Sequence, residues 1–320
     1  MRCLVPSRQW QDEGGGYRHT VGEKAGMILV TGAAGHIGRA VCALLGDCAA
    51  PVLPLDLSLE TLPPNGVCCD IRRQQEVQQL FDSYAIQSVI HAAAVLPTAF
   101  RTDPIAGADV NLNGSIHLLQ QAVRVGVRRF VLVSSMSVYG SASRNRPLTE
   151  EDAAIPDEPY GGSKRAVELV GEALRSANGL EFISLRVARV IGPGARSTSS
   201  TWRSQIFGDP HNMHSVRIPF APSAVLSLVH VEDVARMLAI LIHSTRAKHS
   251  VYNTPVELWK AGELQSLVEK HVGVDVQLGH IETGGPACDG TRFALEFNFR
   301  IRGLEDRLSK RGEGSRSQDI

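Results

Sequence analysis

Residues 27–45, MILVTGAAGHIGRAVCALL, restrict this chain more than any other stretch. Met27 to Val30 are apolar, as a buried strand requires. Gly32, Gly35 and Gly38 follow at spacings of three, and Ile37, Val41, Leu44 and Leu45 then recur at helical intervals. A strand, a glycine turn and an amphipathic helix in that order open a βαβ unit. Such a turn suits a pyrophosphate. Its first glycine permits the tight turn, its second admits phosphate against the backbone, and its third lets helix pack on strand. The helix N-terminus adds free N–H groups and the positive end of a dipole. A purely structural turn would use the same glycines, so the decision falls to the rest of the chain.

The following segments keep the rhythm. PVLPLDLS reads as a second strand ending at Asp56, weakened by two prolines that each remove a ladder donor. NGVCCDI (65–71) reads as a short strand, Gln74 to Tyr84 as a helix, SVIHAAA (88–94) as a strand and Asp103 to Val125 as one long helix. RRFVLVSS (128–135), the helix from Pro159 to Ser176 and LEFISLRV (180–187) continue the alternation. Apolar strands alternating with helices give a parallel sheet covered on both faces, hence a Rossmann-type doubly wound α/β fold. After Ile191 the pattern changes. Residues 192–227 are loop-rich, helices resume at Val231–Ser244 and Ala261–His271, and a short strand is expected near Val274–Leu278. The expected organisation is a dinucleotide-binding domain over 27–190, a smaller, mainly substrate-binding lobe over 191–308, and disordered ends at 1–26 and 309–320.

Lys+Arg and Asp+Glu both number 33 among 320 residues, so no global field favours nucleic acid or an anionic membrane. No stretch approaches the roughly 18 apolar residues of a membrane span, and residues 1–26 lack the apolar core of a secretory signal. The cysteines at 3, 42, 48, 68, 69 and 288 show neither CxxC spacing nor a nearby histidine pattern. Reduced thiols in a cytoplasmic protein, with no metal site, are the expectation. His211 and His214 are spaced as helix or loop residues and are expected to hold no metal.

Asp56 falls 24 residues after Gly32, at the end of the second strand. A carboxylate there accepts from both ribose hydroxyls and repels a 2′-phosphate, which favours NAD over NADP; a turn aspartate is the bland alternative. Tyr160 and Lys164, in Tyr-Gly-Gly-Ser-Lys, share one helical face. A phenol with a pKa of about 10 is a poor acid–base catalyst at neutral pH, and an ammonium beside it favours the phenolate. Ser135 ends the strand 25 residues earlier, where its hydroxyl can meet the phenol, although Ser134, Ser135 and Ser137 would also serve as turn caps.

With these residues in place, the chain resembles the extended short-chain dehydrogenase/reductases, specifically the NAD-dependent epimerase/dehydratase family. The resemblance rests on TGAAGHIG (31–38), Asp56, CDI (69–71), IHAAA (90–94), NLNG (111–114), SSMSVYG (134–140), PYGGSK (159–164), LRVARVIGPG (185–194) and LVHVEDVA (228–235), and covers 27 to about 308. It implies that Gly32, Gly35 and Gly38, with the backbone of His36 and Ile37, cradle the NAD pyrophosphate. Asp56 would hold the adenosine ribose, Asp70 and Ile71 would flank the adenine, and Ala92, Ala93 and Ala94 would line the cofactor near its middle. Tyr160 would be the acid/base and Ser135 would polarise the substrate oxygen. Lys164 would bind the nicotinamide ribose and lower the tyrosine pKa. Asn111 would join a proton relay or act only as a helix-kinking residue. Helices 103–125 and 158–177 would either form a homodimer's four-helix bundle or spend their apolar faces on the sheet.

Departures from the family pattern bear on substrate. Met136 and Ser137 stand where the dehydratases carry acidic residues, so water loss by that route is not expected. Arg189 replaces the asparagine of UDP-sugar epimerases, and Leu226 replaces the arginine of their diphosphate clamp. Arg189 suits a carboxylate or phosphate. Arg196, Arg203 and Arg217 lie in the same lobe and read equally as solvated surface residues. His91 reads as a hydrogen-bonded strand histidine. His230 reads as part of a helix start, with Glu232 and Asp233 in the first turn where carboxylates suit the dipole. The expected activity is hydride exchange between NAD and a secondary alcohol or ketone of a sugar-like or small polyol substrate. A UDP-sugar 4-epimerase with a rearranged clamp and a catalytically idle NAD-binding scaffold are the alternatives.

Overall fold

The computed structural model describes residues 26–46, 51–58, 62–63, 65–141, 146–195, 200–208, 215–245 and 247–315. Arg196, His211 and His214 lie outside these, as do the expected disordered residues 1–25 and 316–320. In chain order the first half comprises β1 (Met27–Thr31), α1 (His36–Leu45), β2 (Val52–Asp56), β3 (Val67–Cys68), α2 (Gln74–Ser83) and β4 (Ile86–His91). Then come α3 (Pro97–Thr102), α4 (Pro104–Ala108), a π-helical turn Asp109–Gly114, α5 (Ser115–Arg124), β5 (Arg129–Ser135), α6 (Pro159–Asn178) and β6 (Glu181–Val187). The second half comprises β7 (Arg189–Ile191), α7 (Trp202–Gln205), β8 (Ser215–Phe220), β9 (Val225–His230), α8 (Val231–His243), β10 (Val251–Asn253), β11 (Glu257–Lys260), α9 (Ala261–Val272), β12 (Asp275–Ile281), α10 (Thr291–Glu296) and α11 (Leu304–Ser315).

The main sheet runs β10-β6-β5-β4-β1-β2-β3 with every pair parallel. Strand order reverses between β1 and β4, the point at which doubly wound sheets open a ligand crevice beyond the strands' C-terminal ends. One face carries a core of Val30, Val131, Val41, Val234, Leu238 and Leu241, which seats α1 and α8. The other carries Leu29, Leu132, Val77, Leu118, Leu119 and Val167, which seats α2, α5 and α6. Strands buried on both faces read as continuous apolar runs, as β5 does.

Pro54 is accommodated inside β2 because β3 covers only Leu55 and Asp56. Upstream of them β2 is an edge, where a missing donor costs little. The helix expected from Asp103 does start there, with the Asp103 carboxylate accepting from Ala106 N at 3.0 Å. It does not continue as one α-helix, since the π-helical turn interrupts it at Asn111.

Two expected boundaries are corrected. Residues 231–253 do not belong to a separate lobe: α8 covers the sheet beside α1, and β10 is the sheet's seventh strand, paired with β6. The reason is that α8 presents Val234, Leu238 and Leu241 at helical spacing to the sheet core. The smaller lobe is built instead from the sheet β11-β9-β7, the pair β12-β8, and helices α7, α9 and α11 around Trp202, Ile218, Leu226 and Leu264. The chain from Ser309 is also not frayed as far as Ser315, because α11 anchors Leu304 and Leu308 in that lobe. Arg307 adds ion pairs to Glu232 and Asp233 at 2.6 and 2.9 Å. Among the described residues, no helix is long and apolar enough to cross a membrane.

Candidate active site

The glycine turn stands at the crevice. Gly32 has φ 69°, a left-handed conformation that favours glycine. A Cβ on Gly38 would lie 2.1 Å from Gly32 O, so only glycine lets α1 settle against the turn. The N-cap of α1 is Gly35, which offers no side-chain cap, so the first N–H groups of the helix remain free for an anion. Asp56 turns its carboxylate toward the same turn, accepting from Ala34 N at 3.0 Å and Leu57 N at 2.7 Å. Across from it, Ala92 N donates to Thr31 O and Ala93 N to Thr31 Oγ1, each at 3.2 Å. That places Ala92–Ala94 beside the glycines. Asp70 is held by Arg72 at 2.7 Å, and that guanidinium keeps its carboxyl below the usual range. Ile71 is buried under Gly114.

Ser135, the last residue of β5, accepts from Ser137 N at 3.1 Å and so caps the 3-10 turn Met136–Tyr139. The same hydroxyl stands close enough to the phenol of Tyr160, in the first turn of α6, to favour its phenolate. Capping and phenol contact thus coexist on one side chain. Phe100 meets Tyr160 edge-on at 6.5 Å and helps bury it. Burial pushes the phenol up to about 12; Ser135 and Arg203 oppose this, while Glu158 adds to it. Lys164, one turn on, donates from Nζ to Val133 O at 2.9 Å. Burial brings its ammonium down to about 8. One of the three Lys164 donors thus goes to a strand carbonyl, and Arg203 is a further cation that favours the Tyr160 phenolate.

Asn111 sits in the π-helical turn and grips the loop after β4. It accepts from Val95 N at 2.7 Å, donates to Val95 O at 3.0 Å, and approaches Ser163 Oγ at 3.5 Å. A π-helical turn aims one side chain out of the regular helical register, and here it aims this amide. His91 bonds Thr31 Oγ1 at 2.7 Å and Ser115 Oγ at 2.8 Å, the packed strand role expected of it. His230 caps α8, accepting from Glu232 N at 3.2 Å.

Behind the site lies a charged network with little sequence signal. Glu168, four residues beyond Lys164, is buried and accepts from Ser134 Oγ, Ser184 Oγ, Arg165 and both Nε and Nη2 of Arg186. Arg186 also donates to the Tyr139 hydroxyl at 2.8 Å. The helical spacing of Glu168 from Lys164 was visible in the sequence; its buried partner on β6 was not.

The substrate side departs most from expectation. Arg217 is exposed on β8, and Leu226 is a fully buried core residue of β9. Arg189 donates from Nη2 to Gly284 O at 2.8 Å and lies 4.8 Å over the ring of Phe220. Arg203, rather than being a solvated residue, is mostly buried against Trp202 at 6.0 Å. Both Nε atoms are buried without a partner. Burial pulls both guanidinium pKa values down, and Arg203 lowers that of Arg189 further. The imidazole of His36, at the start of α1, is held near 4 by burial, Arg39 and Arg203, against a bond to Gly194. Among the described residues no group of three or more His, Cys, Asp or Glu is placed to hold a metal.

The profile of the NAD dependent epimerase/dehydratase family matches residues 28–254, and the chain belongs to that family. The UDP-glucose 4-epimerase of Lacticaseibacillus casei is 31% identical over 173 residues, covering 52% of this chain and 52% of that one. The matched segment thus spans about half the length of that relative. The solved UDP-glucose 4-epimerase of Thermotoga maritima, with UDP-glucose, superposes at a TM-score of 0.77 with 25% identity, over 91% of this chain and 99% of that one. An L-threonine dehydrogenase from Phytophthora infestans shares the fold at a TM-score of 0.81 with 20% identity, over 92% of this chain and all of that one.

Proposed function

We propose that the protein is an NAD-dependent oxidoreductase acting on a secondary alcohol or ketone of a sugar-like or small polyol substrate. The observation that carries this is the convergence of Ser135, Tyr160 and Lys164 at the end of β5 and the start of α6, on the edge of the sheet that carries the glycine turn. The residues present fit the cofactor: α1 has an uncapped N-terminus, Gly38 leaves no room for a Cβ, and Asp56 keeps a carboxylate toward the turn. Gly32, Gly35, His36, Ile37 and Gly38 would take the pyrophosphate and Asp56 the adenosine ribose, with Asp70 and Ile71 about the adenine. Ala92 to Ala94 would lie along the middle. NAD, when bound, supplies the carrier for a hydride taken from the substrate carbinol carbon. Tyr160, as the phenolate that Ser135 and Arg203 favour against burial, takes the hydroxyl proton; Ser135 holds the substrate oxygen, and Lys164 brings positive charge to the ribose side. Asn111 holds the loop after β4 through Val95 N and O.

Tyr160→Phe tests the reading. It is expected to abolish NAD-linked turnover of a panel of sugar acids, lactones, polyols and nucleotide sugars while leaving NAD affinity unchanged in calorimetry. Activity that survives the change would refute the mechanism. A second reading, a UDP-sugar 4-epimerase, is supported by its likeness to the UDP-glucose 4-epimerases above. NAD retained through purification favours it, because an internal redox cycle needs no cofactor exchange. A homodimer through α5 and α6 belongs to the same proposal, with Leu169 of α6 exposed on the outer face.

A further inference from the structure

We propose that the substrate carries an oxyanion, a carboxylate or a phosphate, and that Arg189 and Arg203 hold it beside the Tyr160 phenol. This rests on the oxidoreductase reading and names the substrate class within it. The position follows from the sheet. Ser135 pairs with Val187 across β5 and β6, and Arg189 is two residues beyond that partner, at the start of β7 in the smaller lobe's sheet. Arg203 is brought back beside this strand because Gly192 N donates to Arg203 O at 3.0 Å and Gly194 N to Ser204 Oγ at 2.9 Å. The backbone of Arg203 thus lies against the segment that follows Arg189.

Their chemistry calls for an anion. Among the described residues, neither has a carboxylate within ion-pair distance, although Arg186, Arg129, Arg236 and Arg307 all do. Arg189 rests its face on Phe220 and spends one N–H on a neutral carbonyl. For Arg203 no side-chain hydrogen bond exists among the described residues, and its face lies against Trp202. Stacking of the planar face leaves the fork of N–H donors at the edge, the geometry that receives carboxylate or phosphate. Two withdrawn cations that repel each other are costly until a ligand neutralises them. His36 adds no charge at neutral pH, and the ion-pair partner of Glu158 among the described residues is Arg101, at 3.6 Å. Leu226, a core residue, offers no cation at the clamp position.

The test titrates the full chain, saturated with NAD, with D-glucuronate, D-glucose 6-phosphate, UDP and D-glucose in a calorimeter. The expected result is that at least one anionic probe binds at least about tenfold more tightly than D-glucose. The glucuronate arm identifies a sugar carboxylate; the glucose 6-phosphate and UDP arms identify phosphate on the sugar or on a nucleotide. Arg189→Met and Arg203→Met should each remove that preference, Arg203→Lys should restore part of it, and NAD affinity should stay within about twofold. Equal binding of anions and D-glucose by the wild-type chain would overturn the proposal without any variant. So would an Arg203→Met chain that loses NAD affinity but keeps its anion preference, since Arg203 would then serve the cofactor. A wild-type chain that fails to bind NAD would instead sink the oxidoreductase reading and this proposal with it.

Discussion

Lys164→Met separates what the site does from what it costs the fold. Burial lowers the Lys164 ammonium from its ordinary 10.5 to about 8. At about 1.4 kcal/mol per tenfold, that is a folding penalty of about 3 kcal/mol. Below about pH 8 both folded and unfolded chains hold the proton, so the penalty is fully expressed at neutral pH. Between about 8 and 10.5 the unfolded chain keeps a proton that the folded chain sheds, so stability rises with pH there. Methionine fills nearly the same volume without the charge. It leaves Val133 O without its partner, a loss of about 1 kcal/mol. The net expectation at pH 7 is a variant more stable by roughly 2 kcal/mol, or roughly 3 °C in Tm, with NAD-linked turnover reduced at least about 100-fold. Urea denaturation of both cofactor-free chains at pH 7 and pH 10 measures it. The stability difference should shrink toward zero or change sign at the higher pH. A variant no more stable than wild type at pH 7, or a difference independent of pH, would refute the reasoning.

Three further perturbations probe the surroundings. Gly38→Ala places a Cβ 2.1 Å from Gly32 O, so α1 must shift; a loss of about 1–3 kcal/mol in urea denaturation and at least about tenfold in NAD affinity is expected, and unchanged binding would contradict the tight-turn argument. Glu168→Ala strands the buried charge of Arg186 and should cost about 3–5 kcal/mol, whereas Glu168→Leu combined with Arg186→Met should recover most of it; equal losses in single and double variants would deny the pairing. Burial of His91 lowers its imidazole to about 3, so stability should be lost as pH falls from 6.5 toward 3, where the unfolded chain gains a proton that the folded chain refuses. His91→Asn should flatten that acid limb in denaturation midpoints measured from pH 7 to pH 4.5, and parallel limbs would exclude His91 as its source.

Much of the fold could be read locally. The glycine turn of 32–38 declared a βαβ start because strand, turn and helix signals adjoin within 19 residues. Tyr160 and Lys164 declared a shared helical face because four residues make about one turn. The continuous apolar run of β5 declared a doubly covered strand. Each of these depends on neighbours a few positions apart, so the pattern survives in one dimension. The short strands β7, β10 and β11 were not legible, being three or four residues long and defined only by distant partners. The π-helical turn at Asn111 was also hidden, because it depends on Val95 lying across the loop.

What the sequence by itself determined is the Rossmann-type scaffold and the placement of Ser135 at a strand end and of Tyr160 and Lys164 on one helical face, since spacing and strand-end position follow from local periodicity. Only the tertiary structure decided the environment of those groups. It gave Lys164 to Val133 O, drew Glu168 and Arg186 into one buried pair, and brought Arg203 from a loop-rich segment to the phenol. The physical reason is that a charge's partners and its exposure to water are set by segments far apart in the chain. No spacing rule for Arg203 records that Gly192 and Trp202 will fold it inward.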